Sequence, residues 1–138
     1  MAFSDFGKLH FLVIDDSGFT RKMMRNALTA NGAISIEEAP DAVEGLKILK
    51  NADNEIDFIL VDQEMPVLDG VDFTQMVRNS PAEDYSQMPI IMVSGLAEDE
   101  QIMEAREAGV TSFVAKPYAS QELKIQIQFA IRDPRTLS

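Results

Sequence analysis

Four short apolar runs each end in a side chain able to take part in chemistry. Phe11-Leu12-Val13-Ile14 runs into Asp15-Asp16, and Phe58-Ile59-Leu60-Val61 into Asp62. Ile90-Ile91-Met92-Val93 runs into Ser94, and Phe113-Val114-Ala115 into Lys116-Pro117. Read as parallel strands, these runs open onto one edge of one sheet, the edge where open α/β proteins carry their sites. Three carboxylates, a hydroxyl and an ammonium then share a crevice. At about 4 Å, two like charges repel by roughly 4 kcal/mol at an effective dielectric of 20, so three acids together call for a cation. With only oxygen donors on offer, that cation is Mg²⁺ or Mn²⁺.

Asp62 ends what should be the most buried strand. A carboxylate there, beside a metal and a lysine, can act as a nucleophile toward phosphorus. Mg²⁺ and Lys116 would neutralise charge developing on a transferred phosphoryl group, and Ser94 can donate to one of its oxygens. Plainer roles stand beside each of these. One of Asp15 and Asp16 could be a helix cap, Ser94 could be another, and a lysine after a strand usually points into water. Pro117 fixes the loop after Lys116, and its peptide bond is a candidate for the cis form.

Strand and helix signals alternate along the rest of the chain. Helical spacing of apolar residues runs from Thr20 to Asn31 and is stopped by Asn31-Gly32. Ile34-Ser35-Ile36 alternates as an edge strand would, and Ala42 to Leu49 reads as a helix with Val43, Leu46, Ile48 and Leu49 on or near its inner side. Asp69-Gly70 opens a helix containing Val71, Phe73, Met76 and Val77; residues 79–89 read as a loop. A helix spans about Glu98 to Ala108 and is closed by Gly109, and the last runs from Ser120 to about Arg132. Met23, Met24, Met76, Met92 and Met103 fall at core spacings. Five strands alternating with five helices specify a doubly wound (βα)5 α/β fold, a parallel sheet in the flavodoxin-like order 2-1-3-4-5. Residues 1–138 are expected to form one domain, with a core over about 8–132 and a tail at 133–138.

Composition removes other chemistries. The 138 residues contain no cysteine and one histidine, His10, so disulfides, thiol nucleophiles, a histidine-rich metal site and a serine–histidine triad drop out. A net charge of −11 argues against nucleic acid. No apolar stretch approaches the ~20 residues of a membrane span, and the N-terminus lacks a secretory signal, so a cytoplasmic location is expected. Arg21, Lys22 and Arg25 form a basic segment, whereas residues 98–108 are acidic. The two read as solvated helix faces or as surfaces for different partners. His10 receives no role.

At these residues the chain resembles the receiver domain of two-component response regulators, of the single-domain CheY type. The match runs through Val13-Ile14-Asp15-Asp16, Leu60-Val61-Asp62-Gln63-Glu64-Met65-Pro66 and Asp69-Gly70. It continues through Pro89-Ile90-Ile91-Met92-Val93-Ser94-Gly95 and Ala108-Gly109-Val110 to Phe113-Val114-Ala115-Lys116-Pro117. The resemblance implies that Asp62 accepts a phosphoryl group from a sensor histidine kinase or phosphotransfer protein. It implies that Mg²⁺ is held by Asp15, Asp16, Asp62 and the backbone carbonyl of Glu64. It also implies that Ser94 and Lys116 grip the phosphoryl group and that the domain hydrolyses its own aspartyl phosphate without being an enzyme in the usual sense. Ser94 and Phe113 would be the switch residues, although core packing explains a strand Phe equally well. Glu64 departs from the neutral residue common there and should affect the hydrolytic water or a kinase's approach.

Competing readings are a flavodoxin-type FMN binder, a Mg²⁺-dependent aspartyl-nucleophile phosphatase, a non-phosphorylated scaffold, or a receiver fragment of a larger regulator. Two aspartates after the first strand would repel the FMN phosphate, and turnover of an external phosphate ester would mark the phosphatase. The expected output is contact with a downstream protein, in chemotaxis, flagellar control or a phosphorelay, by a monomer that touches neither nucleic acid nor membrane. The helix from Glu98, the strand through Phe113 and the helix from Ser120 form the expected output surface.

Overall fold

The computed structural model describes residues 3–51, 53, 55–81 and 83–132; the expected tail at 133–138 lies outside them. After a 3-10 turn at Phe3–Lys8, strand β1 (His10–Ile14) leads to helix α1 (Gly18–Ala30). Strand β2 (Ser35–Ala39) then precedes helix α2 (Ala42–Lys50), and β3 (Phe58–Asp62) precedes α3 (Gly70–Arg78). A single helical turn, α4 (Glu83–Ser86), interrupts the segment read as a loop. Strand β4 (Ile90–Ser94), helix α5 (Asp99–Ala108), strand β5 (Ser112–Ala115) and helix α6 (Ser120–Arg132) complete the order. All four pairings are parallel and the strand order is 2-1-3-4-5, as expected.

Alternation along each central strand divides the core in two. Leu12, Ile14, Ile59, Val61, Ile90 and Met92 pack toward Leu49 of α2, Phe73 and Val77 of α3 and Ala105 of α5. Phe11, Val13, Phe58, Leu60, Ile91 and Val93 pack toward Met24 and Leu28 of α1 and Leu123 and Ile127 of α6. Every residue of β3 and β4 is buried. Continuous apolar strands are what a sheet covered on both faces requires.

Three expectations need correction. The second strand runs to Ala39 rather than Ile36, because it pairs with the full length of β1, from His10 with Ser35 to Ile14 with Ala39. Its Glu37 and Glu38 are tolerated on an exposed edge, where Glu38 meets Arg21 at 3.1 Å and Arg25 at 2.8 Å. Of the five methionines at core spacings only Met24 and Met92 are buried; Met23, Met76 and Met103 are 52, 45 and 53% exposed. Successive helical positions lie about 100° apart, and the inner faces centre on Met24, Ala27 and Leu28 in α1 and on Phe73 and Val77 in α3, which turns Met23 and Met76 outward. For the same reason Ala42, Gly45 and Leu49 form the inner face of α2, and Val43 is exposed.

Two features lock the helices that flank the site. Arg78 ends α3 and donates to the carbonyls of Gly109 (2.9 Å), Ser86 (3.0 Å) and Met88 (2.7 Å), tying α3 to the ends of α4 and α5. Burial lowers its pKa to about 10, which leaves it charged at neutral pH. Gly70 starts α3 so close to β3 that a Cβ there would lie 2.8 Å from the Asp62 carbonyl and 3.0 Å from Gln63 Cα. Among the described residues, no helix is long and apolar enough to cross a membrane.

Candidate functional site

Strand register brings the chemical residues together. Ile14 pairs with Val61, so Asp15 and Asp62, one residue further on, emerge side by side. Ser94 pairs with Ala115, which sets Lys116 next to Ser94. Ladder-like hydrogen bonds continue past the strand ends, from Asp15 N to Ala39 O (3.2 Å), Gln63 N to Val93 O (2.9 Å) and Lys116 N to Ser94 O (2.8 Å). These fix each loop at its first residue, before flexibility can spread the groups apart.

The carboxylates of Asp15, Asp16 and Asp62 each place an oxygen within 4.8 Å of the others. Asp15 and Asp62 are buried, whereas Asp16 is exposed. None of the three caps α1. That role falls to Ser17, whose hydroxyl accepts from the Thr20 N–H. Asp15 Oδ1 accepts from the Ser17 N–H at 2.9 Å, and the Arg21 guanidinium donates to the Asp15 carbonyl at 2.7 Å. Arg21 of the basic segment thus has a structural task, holding the aspartate loop. Asp15 Oδ2 is buried and has no hydrogen-bond partner among the described residues. A buried carboxylate oxygen left this way costs free energy unless a cation meets it. That orphaned oxygen, beside two more carboxylates, fits a hard divalent ion such as Mg²⁺.

Lys116 does not point into solvent. Its Nζ donates to Asp62 Oδ1 at 2.5 Å and lies 3.8 Å from Asp15 Oδ2. Burial alone would lower the lysine pKa, but the Asp62 hydrogen bond and the charges of Asp62, Asp15 and Glu64 together hold it above the ordinary value. The peptide between Lys116 and Pro117 is cis. Tyr118, two residues on, has its hydroxyl pKa pushed up to about 12 by burial and by the Asp15 charge. The Asp62 carboxyl is pushed up to about 6, chiefly by burial. The charges of Asp15 and Glu64 add to this, and the hydrogen bond and charge of Lys116 oppose it.

Ser94 is fully buried and is not the cap of α5, which begins five residues later. Its hydroxyl donates to Glu64 Oε2 at 2.6 Å and accepts from the Leu96 N–H at 3.0 Å. Phe113 is half-buried and packs on the α2/α3/α5 side of the core. His10 lies at the opposite end of the strands, where its N–H donates to Asp57.

Gln63 carries no reactive group that marks it in the sequence, yet it joins the acceptor strand to α3. Its Oε1 accepts from Val71 N–H (2.8 Å), its Nε2 donates to the Asp69 cap (3.0 Å), and its carbonyl accepts from Gly70 N–H (3.1 Å). The available signal was a polar residue next to a strand-end acid with an Asp-Gly helix start a few positions on.

The raised Asp62 pKa makes stability depend on pH. In the unfolded chain the carboxyl titrates near 3.8 and in the native state near 6. Below both values the group is protonated in each state and contributes nothing. Between them the unfolded chain ionises first, so stability falls as pH rises, and above about 6 the loss is complete. The gap corresponds to roughly 3 kcal/mol. Metal-free Asp62→Asn protein should therefore be a few kcal/mol more stable than wild type at about pH 7.5, with the difference closing toward about pH 4.5. Urea midpoints across that range check it, and a pH-independent difference would contradict it.

Comparison with known proteins places this geometry in a family. Residues 11–128 match the model of the response regulator receiver domain. The chain is 33% identical over 116 residues to the chemotaxis protein CheY-3 of Vibrio cholerae, covering 84% of this chain and 86% of that protein. It is 33% identical over 120 residues to the chemotaxis protein CheY of Pseudomonas aeruginosa, covering 87% and 94%. The solved structure of Vibrio cholerae CheY4 superposes with a TM-score of 0.76 at 29% identity, over 88% of this chain and 97% of that one. The chain belongs to the response regulator receiver family, whose members are signalling domains of the CheY type.

Proposed function

We propose that Asp62 accepts a phosphoryl group from the phosphohistidine of a sensor kinase or phosphotransfer protein, and that the domain passes the change to a protein partner. The observation that supports this most is the setting of Asp62, a buried carboxylate with the Lys116 ammonium on Oδ1 and, close by, an Asp15 Oδ2 that has no hydrogen-bond partner. A pKa near 6 leaves most of it ionised at neutral pH. An Asp62 oxygen attacks phosphorus, the phosphorus–nitrogen bond of the donor breaks, and the electron pair leaves on the imidazole. Lys116 neutralises one oxygen of the transferred group and Ser94 donates to another. Asp15, Asp16, Asp62 and the Glu64 backbone carbonyl would hold Mg²⁺, which supplies charge neutralisation when bound. Water attack on the aspartyl phosphate later releases inorganic phosphate and restores Asp62.

Signal output follows from which groups must move. Ser94 leads into the loop before α5, and Lys116 into the loop before α6. A phosphoryl group drawing on both would pull two loops that border one surface, made of α5, Phe113 on β5, and α6. That surface is acidic along Glu98, Asp99, Glu100, Glu104 and Glu107, and it carries exposed Met103 on α5. The whole chain acts as one such receiver, working in the cytoplasm as a monomer.

In Mg²⁺, Asp62→Asn should abolish labelling by acetyl phosphate while leaving the circular dichroism spectrum unchanged; labelling at the wild-type level would move the acceptor elsewhere. Lys116→Ala should still be phosphorylated but should lose the response of the output surface. Amide exchange with and without beryllofluoride reads that response. Protection is expected across residues 94–120 in wild type and not in Lys116→Ala, and protection confined to 21–25 would misplace the output face.

A further inference from the structure

Glu64 lies two residues past the acceptor, and its carboxylate forms a two-oxygen clamp on the end of β4. Oε2 accepts from the Ser94 hydroxyl at 2.6 Å and Oε1 accepts from the Gly95 N–H at 3.0 Å. The Leu96 carbonyl, at 3.2 Å from the same hydroxyl, is a second acceptor for its one proton. A charge-assisted bond at 2.6 Å is the stronger, so the proton points to Glu64. The donor edge at the start of the β4–α5 loop is therefore already filled by an anion.

A phosphoryl group on Asp62 presents the same kind of ligand, anionic oxygens seeking donors. Ser94 has a single hydroxyl proton, so it cannot serve both anions at once. Glu64 as a residue is exposed, so its carboxylate can swing into water once displaced without leaving a buried charge behind. We propose that Glu64 is an internal occupant of the phosphoryl-oxygen position at Ser94 and Gly95, and that its release from these donors is a required step of phosphorylation. The proposal rests on the reading of Asp62 as the phosphoacceptor. Glu64 is a positioning residue on this account. It holds the β4–α5 loop in the resting arrangement and sets how strongly a phosphoryl group must compete to change it.

Simple charge repulsion between Glu64 and a bound anion would also weaken binding, so the test must keep the charge and remove the clamp. Glu64→Asp does this, since the side chain is one methylene shorter. Beryllofluoride affinity in saturating Mg²⁺ is measured for wild type, Glu64→Asp and Glu64→Gln, with the Gly95 amide followed by ¹H–¹⁵N correlation. The Asp variant should bind about tenfold more tightly, the size of one charge-assisted hydrogen bond. Its Gly95 amide should shift before any ligand is added. In a Ser94→Ala background the gain from Glu64→Asp should largely vanish. An affinity unchanged in Glu64→Asp but raised in Glu64→Gln would overturn the clamp in favour of plain repulsion. An equal gain with and without Ser94 would overturn it as well. Failure of wild type to bind beryllofluoride would instead overturn the phosphoacceptor reading, and the Gly95 amide would still report whether the clamp exists.

Discussion

The C-terminal edge of the sheet depends on keeping three carboxylates within 4.8 Å of one another beside the Lys116 ammonium. Each like-charged pair at such distances costs a few kcal/mol at a moderate dielectric, and burial of Asp15 and Asp62 strengthens the repulsion. Lys116 meets Asp62 closely and Asp15 only at 3.8 Å, so compensation is uneven. Asp15 is left with an oxygen that has no hydrogen-bond partner, and the Asp62 carboxyl is pushed up to about 6, chiefly by burial, despite Lys116. Both are strains that a divalent cation would relieve. The rest of the domain acts as a frame that prevents the acids from relieving it by moving apart.

That frame is built of backbone junctions. Gln63 ties the acceptor strand to α3, Gly70 allows the helix to start against the Asp62 carbonyl, and Arg21 holds the carbonyl of Asp15. Arg78 fastens the far end of α3 to the ends of α4 and α5. The loop after β4 is held differently. Its first donors are engaged by the Glu64 side chain, which can let go without breaking a backbone ladder. A rigid acid edge next to a releasable loop is an arrangement suited to turning a local charge change into a change of surface.

Most of this edge was legible in the sequence because strand ends are marked twice, by the loss of apolar character and by the arrival of a charged or hydroxyl residue. Parallel pairing then allowed only one side of the sheet for Asp15, Asp62, Ser94 and Lys116. The unread parts have a common origin: they depend on direction. Helical spacing identifies Met23 and Met24 as a pair of apolar neighbours, but only the inward direction of the helix decides that Met24 is core and Met23 is exposed. Glu64 is visible as an extra acid, yet nothing in the order of residues tells that it turns toward Ser94. Arg78 reads as an ordinary basic residue in a last helical turn until the carbonyls of three distant residues converge on it. The edge strand looks short in the sequence because Glu37 and Glu38 are unlike strand residues, and the ion pairs that accommodate Glu38 come from α1.

The central claim is that the acid crevice is built around a divalent cation. A crystal grown at saturating Mn²⁺, with diffraction collected at the manganese edge, tests it directly. The expected result is one anomalous peak bounded by Asp15, Asp16 and Asp62, with Asp15 Oδ2 coordinated directly or through one water. Absence of a peak there, with Asp15 Oδ2 still lacking a partner, would contradict the account.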